Sequence, residues 1–201
     1  REILPLLQPQ PYPEFSEAIE QIGWSAPLPP EQRWNNAGHE NGVDPEKYAH
    51  WLSGNVIHQK QPGFAAVQIA IPGGDLYTDQ FRRLAEITRR FSQGEAFTTI
   101  SQNLVLRWVA EADLHDLYLA LREIGLHESG AHHLWNVTGC PGADTCNLAI
   151  TTSHRLTMEL SSRLRYQLPE LGFADDLKDV DIKISGCPNS CGQHHIAAIG
   201  F

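Results

Sequence analysis

All four cysteines of the chain lie in its last third, in two short segments. One pair is Cys140 and Cys146, and the other is Cys187 and Cys191. Two loops that each carry two thiols can converge so that four thiolates surround one centre, which is the ligand count of a [4Fe–4S] cluster. No cysteine is left over. The sequence therefore predicts one centre that uses all four thiols.

Three kinds of site are open for four cysteines. Two disulfides suit a secreted protein, whereas the start of this chain has no basic region followed by an apolar run, which predicts a cytoplasmic protein. Structural zinc usually takes pairs spaced by two to four residues, and five residues separate Cys140 from Cys146. An iron–sulfur cluster is favoured because glycines, which let the backbone fold closely around sulfurs, flank both pairs, at Gly139, Gly142, Gly186 and Gly192.

The segment upstream of the cysteines has the pattern β-α-β-α. An apolar run at residues 64–71 predicts a buried strand, and residues 99–109 alternate as a second strand would. Thr78 and Asp113 are each expected to cap a helix that ends at a glycine. The apolar face of the first helix is expected to comprise Phe81, Leu84, Ala85, Thr88 and Phe91.

A helix and a strand separate the two cysteine pairs. Leucines recur at helical spacing between Leu156 and Leu164, and Pro169 is expected to stop this helix. Apolar residues at 180–184 alternate with Asp181 and Lys183, which predicts a half-exposed strand that runs into the second pair. The sequence thus predicts an α+β fold with two lobes in series.

The first 50 residues differ from the rest of the chain. Seven of the 13 prolines lie in the first 30 residues, and residues 34–44 are polar and rich in turn formers. We interpret residues 1–50 as an extended arm and linker.

The charge and hydropathy of the chain argue against two classes of partner. Fifteen Lys and Arg against 24 Asp and Glu give a formal net charge of -9, which repels a phosphate backbone. No stretch approaches the roughly 18 to 20 apolar residues that span a bilayer. Neither nucleic acid nor a membrane is expected as a partner.

The cysteine segments resemble those of the sirohaem-containing nitrite and sulfite reductases. Residues 138–146 read Thr-Gly-Cys-Pro-Gly-Ala-Asp-Thr-Cys, and residues 185–195 read Ser-Gly-Cys-Pro-Asn-Ser-Cys-Gly-Gln-His-His. Upstream, residues 58–63, 74–76 and 98–107 resemble the ferredoxin-like half-domain that precedes the cluster domain in that family. The resemblance covers about residues 50 to 201.

The resemblance implies a domain order and a set of cofactors. Residues 51–128 would be the ferredoxin-like half-domain, and residues 129–201 an α/β domain for sirohaem and the [4Fe–4S] cluster, incomplete at its C-terminus. The four cysteines would hold the cluster, and Cys191 would also bridge to the sirohaem iron. The sirohaem would be contacted by Arg107, Gln102, Asn103 and Asn189. For Gln102 and Asn103, which are predicted to lie in a strand, the alternative is that they face solvent or cap a turn. For Asn189 the alternative is that it only forms a turn.

The resemblance also implies a reaction and partners. Family members reduce sulfite to sulfide, or nitrite to ammonia, in a six-electron reaction. The implied partners are the small anionic substrate, an electron donor such as a ferredoxin or a flavoprotein, and the missing first half of the enzyme, which supplies most of the basic residues that bind substrate. Two other functions stay open, a stand-alone [4Fe–4S] electron-transfer module without haem and a non-enzymatic structural zinc module.

Overall fold

A computed structural model of the protein describes residues 43–171, 177 and 180–201, so nearly all of the predicted arm lies outside the described residues. Helix α1 (Pro45–Asn55) begins at the end of that segment. Asp44 Oδ1 accepts hydrogen bonds from the backbone N of Glu46 at 3.0 Å and of Lys47 at 3.4 Å. The boundary predicted at residue 50 falls inside α1, and Trp51 on this helix is fully buried. The first lobe therefore begins before residue 50.

The first lobe is an antiparallel four-stranded sheet with helices α2 (Thr78–Phe91) and α3 (Leu114–Glu123). The strand order is β1-β2-β4-β3. The strands are β1 (Val56–His58), β2 (Phe64–Ile69), β3 (Phe97–Thr98) and β4 (Leu104–Ala110). The predicted β-α-β-α order is confirmed, and β1 and β3 are additional strands at the two edges.

The second predicted strand is interrupted. Residues 99–103 form the turn that joins β3 to β4, so Gln102 and Asn103 lie in a turn and the prediction that they lie in a strand is wrong. Gln102 has φ +59°, a left-handed conformation that an extended strand does not contain. Residues 101–103 read Ser-Gln-Asn, three consecutive polar residues, so the alternation typical of a strand does not continue through this turn.

The helices of the first lobe follow their predicted periodicity with three differences. Tyr77, rather than Thr78, is the N-cap residue of α2. Asp113 is the N-cap residue of α3, but its side chain makes no capping hydrogen bond. Leu84 and Phe91 are buried as predicted, whereas Phe81 is 63% exposed, because it lies in the first turn of α2 beside an open cleft.

The second lobe contains a parallel sheet in the order β5-β6-β7. Its elements are β5 (Thr138–Gly139), α4 (Ser153–Leu171), β6 (Ile182–Ile184) and β7 (Ile199–Gly200). Helix α4 continues two residues beyond Pro169, so the predicted stop is slightly early. With both lobes the fold is α+β, as predicted. Within the described part of the chain, no helix has the length and apolar character needed to cross a membrane.

Strand β6 is buried on both faces, which corrects the prediction that it is half exposed. Lys183 is only 7% exposed. Its Nζ donates a hydrogen bond to Gln193 Oε1 at 3.1 Å and lies 3.4 Å from Asp181 Oδ2. The buried charge is thus compensated by a carboxylate and an amide oxygen.

Candidate metal centre

The first cysteine loop (residues 140–146) leaves the carboxyl end of β5. Cys140 N donates to Ile184 O at 3.1 Å, which extends the pairing of β5 with β6 by one residue. A short 3-10 turn at Gly142–Asp144 follows, and Cys146 N donates to Gly142 O at 2.9 Å. The segment between the two cysteines therefore contains a hydrogen-bonded turn.

The second cysteine loop (residues 187–191) leaves the carboxyl end of β6. Because β5 and β6 are parallel neighbours, both loops emerge at the same edge of the sheet, where α/β folds commonly place ligand sites. Gly186 O accepts hydrogen bonds from Ile150 N at 2.7 Å and Thr151 N at 3.2 Å. The second loop is thereby fixed against the segment that follows the first.

Cys140 has the most polar surroundings that the structure gives to a thiol. Gly186 N donates to Cys140 Sγ at 3.1 Å, and Ser153 Oγ lies 3.1 Å from the same sulfur. Burial raises the pKa of Cys140, but hydrogen bonds from Ser153 and from the amides of Gly186 and Gly142 outweigh it, so the pKa lies below its ordinary value. A lowered pKa favours the thiolate, which is the form that binds metals.

The other three cysteines are open to ligands. Cys146 and Cys187 are half-buried, Cys191 is exposed, and all four cysteines carry free thiols, so the structure does not contain the disulfides of the disfavoured alternative. Among the described residues, no three Cys, His, Asp or Glu side chains are close enough to share one metal ion. A tetrahedral zinc site would need sulfurs about 3.8 Å apart, since Zn–S bonds are about 2.3 Å long.

Four cysteine thiols on two neighbouring loops match the ligand count of a [4Fe–4S] cluster. A cluster of four irons and four sulfides is several atoms wide, so its thiolate ligands stand farther apart than those of zinc. The four sulfurs come from two loops in direct contact, and a backbone N–H already donates to one of them. Such N–H donors tune and stabilise cluster sulfurs.

A cleft of about 550 Å³ lies between the two lobes beside the first cysteine loop. Its lining includes Phe81 and Gln102 from the first lobe and Gly139, Pro141 and His154 from the second. His154 Nε2 lies 3.1 Å from Asp75 Oδ2, but the carboxylate is not placed along the N–H direction, and no described residue forms a hydrogen bond with Nε2. The lining of the cleft therefore combines apolar side chains with a few polar groups close to Cys140.

Comparisons with known proteins show which family this chain is similar to. Residues 57–124 match the nitrite/sulfite reductase ferredoxin-like half domain. The ferredoxin–nitrite reductase of Synechococcus elongatus is 30% identical over 143 residues, which are 71% of this chain and 27% of that protein. The hemoprotein beta-component of the NADPH sulfite reductase of a Methylobacterium species is 31% identical over 131 residues, 65% of this chain and 21% of that protein. The chain belongs to the nitrite and sulfite reductase family.

The solved structures agree with this family. The structure of the Mycobacterium tuberculosis NirA protein matches 74% of this chain with a TM-score of 0.64 and 28% sequence identity. This chain covers 27% of that structure. The chain therefore spans about a quarter of the length of the reductases that it matches.

Two of the residues predicted to contact sirohaem have hydrogen-bond partners within this chain. Gln102 Nε2 donates to Gly139 O at 2.7 Å, and Gln102 Oε1 accepts from Gly139 N at 3.0 Å. Asn103 is 2% exposed; its Oδ1 accepts from Ile71 N at 3.0 Å, and its Nδ2 donates to Ala131 O at 3.3 Å. Both amides join the lobes to each other, so the structure gives them a role that neither predicted alternative included.

The other two predicted contacts lie away from the cleft. The Arg107 guanidinium lies 3.7 Å from the centre of the Phe97 ring and 4.0 Å from Glu95 Oε2. Asn189 is exposed in the turn between Cys187 and Cys191, as turn-making requires. The sirohaem contacts of both residues stay predictions.

Sequence reasoning missed the residues that support the first cysteine loop. Ser153 Oγ donates to Cys140 O at 3.0 Å, and Thr157 Oγ1 donates to Ser153 O at 2.9 Å, both on α4. Ser185 Oγ accepts from Gly192 N at 3.1 Å beside the second loop. Hydroxyl residues next to helix starts and cysteine motifs were the available signal, but the sequence does not show which backbone groups they contact.

Proposed function

We propose that this chain holds a [4Fe–4S] cluster on Cys140, Cys146, Cys187 and Cys191, and sirohaem through Cys191. It would form part of a larger reductase that converts sulfite to sulfide or nitrite to ammonia. The observation that carries the proposal is the contact between the two cysteine loops at the carboxyl ends of the adjacent strands β5 and β6. The printed names of the relatives support the substrate class.

The residues around Cys140 favour its thiolate form, in which it would bind the cluster. Hydrogen bonds from Gly186 N and Ser153 favour the ionised form of Cys140. When bound, the cluster would supply one electron at a time, and sirohaem would supply an iron that binds the anion. The protein would hold the ligand sulfurs and keep their N–H partners aligned.

The exposure of Cys191 supports a role beyond the cluster. Cys191 is the one exposed cysteine of the four, whereas the others are half-buried. A sulfur that faces outward has room for a second metal bond. Gly192, the next residue, is buried and fixed by Ser185, so the exposed sulfur is held on an ordered backbone.

We assign the cationic side chains that bind the anionic substrate to the rest of the reductase. The docking site for an electron donor is assigned there as well. Lys183 lies close to the second cysteine loop, but its charge is paired with Asp181. The net charge of -9 gives this chain no general attraction for an anionic substrate. The donor, a ferredoxin or a flavoprotein, would act on the assembled enzyme.

Anaerobic reconstitution tests the proposal. The 201-residue chain, Cys191→Ser and Ser190→Ala would be loaded with iron and sulfide, then with sirohaem, and followed by absorption spectroscopy. We expect broad cluster absorbance, then strong Soret and red bands, in the unaltered chain and in Ser190→Ala, and loss of the haem bands in Cys191→Ser. Cluster absorbance without haem binding would favour the stand-alone electron carrier, and a colourless chain that binds zinc would favour the structural module; either result contradicts the proposal.

A further inference from the structure

Gly139, the residue before Cys140, lies on an open edge of the parallel sheet. Among the strands of the described residues, β5 pairs with β6 alone. In a strand the N–H and C=O of one residue point to the same side, so those of Gly139 point outward while Cys140 N pairs with Ile184 O. An unpaired edge beside a cleft needs a partner.

Gln102 supplies that partner from the other lobe. Its amide donates to Gly139 O at 2.7 Å and accepts from Gly139 N at 3.0 Å, as a neighbouring strand would. The orientation of the amide is fixed, because a carbonyl only accepts and an N–H only donates. One side chain thus completes the edge of β5 and connects the half-domain to the first cysteine loop.

The surroundings hold both members of this pair. Gln102 has φ +59°, a conformation that glycine adopts at lower cost, yet the turn carries a residue whose side chain is used. On its other side Gly139 packs against α4, where an added Cβ would overlap Thr157 Oγ1. Gly139 is therefore held between Gln102 and Thr157.

We propose that Gln102 is a positioning residue for Cys140: its amide clamps Gly139 and so fixes the first cysteine loop against the half-domain. The sirohaem contact of Gln102 stays a separate prediction. The clamp itself is a property of the metal-free chain, whereas its effect on a bound cluster rests on the proposed function. The two claims are tested by different measurements.

The matched control is Gln80, which makes a similar pair of bonds, but to backbone groups outside the cysteine loops. Gln80 Nε2 donates to Ile124 O at 2.9 Å, and its Oε1 accepts from Tyr77 N at 3.1 Å. Gln80→Ala and Gln102→Ala therefore remove the same chemistry from two places in the same lobe. Gln102→Glu keeps the acceptor for Gly139 N, but when ionised it turns a carboxylate toward Gly139 O.

Hydrogen exchange of the Gly139 amide tests the clamp in the full metal-free chain. We expect Gln102→Ala to speed exchange at Gly139 about tenfold, as loss of a hydrogen bond typically does to a local equilibrium, and Gln80→Ala to leave it unchanged. Gln102→Glu should regain protection as the pH falls toward about 4.3, where its carboxyl gains a proton that it can donate to Gly139 O. Unchanged exchange in Gln102→Ala, an equal increase in Gln80→Ala, or no pH-dependent rescue would overturn the proposal.

The midpoint potential of the reconstituted cluster tests the consequence for Cys140. We expect Gln102→Ala to shift the potential to a more positive value than in the unaltered chain and in Gln80→Ala, because water admitted beside Cys140 stabilises the more negative, reduced state. Equal potentials in all three proteins would overturn the positioning role. Failure of the unaltered chain to take up a cluster would instead contradict the proposed function, and the exchange result would stand.

Discussion

Replacement of Ser153 by alanine removes the hydroxyl that supports Cys140. Ser153 is 2% exposed, and its Oγ donates to Cys140 O at 3.0 Å and lies 3.1 Å from Cys140 Sγ. Each such hydrogen bond contributes about 1 kcal/mol, and a partner left unsatisfied adds to the loss. We expect Ser153→Ala to lower the free energy of unfolding by about 1–3 kcal/mol. The pKa of Cys140 should rise, because burial then opposes ionisation against fewer hydrogen bonds.

Ser161 provides the matched control on the same helix. It is 3% exposed, and its Oγ has no hydrogen-bond partner in the described part of the protein. Ser161→Ala removes a buried polar group that nothing satisfies, so we expect its free energy of unfolding to be unchanged or higher. The two substitutions are chemically identical, but only Ser153→Ala should lower the free energy of unfolding.

Two assays on the reduced, metal-free chain test the predicted effects of Ser153→Ala and Ser161→Ala. Urea unfolding gives the free energies, and alkylation of Cys140 across a pH series, followed by peptide mass mapping, gives its ionisation. The reasoning is refuted if Ser161→Ala is destabilised as much as Ser153→Ala, or if Ser153→Ala alkylates at Cys140 with the pH profile of the unaltered chain.

Three further substitutions test other parts of the structure. Burial lowers the pKa of His127, so the stability that its neutral form provides is complete above about pH 6.5 and is lost as the pH falls below that value. His127→Phe should therefore reduce the change in urea midpoint between pH 7 and pH 5. A midpoint that changes with pH as much as in the unaltered chain would contradict this. Gly192→Ala should lower the thermal midpoint more than Gly63→Ala, because a Cβ at 192 would overlap the backbone oxygen of Ile184, whereas position 63 has free space and its φ of +81° adds only backbone strain; equal midpoints would count against the loop packing. Asn103→Ala should cost about 2–4 kcal/mol in urea unfolding, since two buried partners lose their bonds, and a loss under about 1 kcal/mol would show that the amide is dispensable.

Periodicity predicted the elements whose pattern is local. The apolar spacing of α2 and α3 and the apolar run of β2 needed no long-range information, and they form as expected. Helix α1 could have been found, because Asp44 followed by Pro45 is a common helix start. It was missed because the preceding segment is rich in turn formers.

The residues that escaped prediction depend on partners distant in sequence. The strand pattern across 99–109 does not reveal that Gln102 pairs with Gly139, 37 residues later. Lys183 was predicted to be exposed because charged residues usually are. Its buried charge is compensated by Gln193 and Asp181. The cysteine spacing predicted which residues could hold a cluster, whereas the contact between their loops follows from the parallel pairing of β5 and β6.

The most direct test of the central claim is the iron and acid-labile sulfide content of the anaerobically reconstituted chain, measured together with zinc. The account predicts about four irons and four sulfides per chain, and loss of both in a variant with Cys140 and Cys187 replaced by serine. One zinc per chain with no sulfide, or iron that the double variant retains, would contradict the assignment of the four cysteines to a [4Fe–4S] cluster.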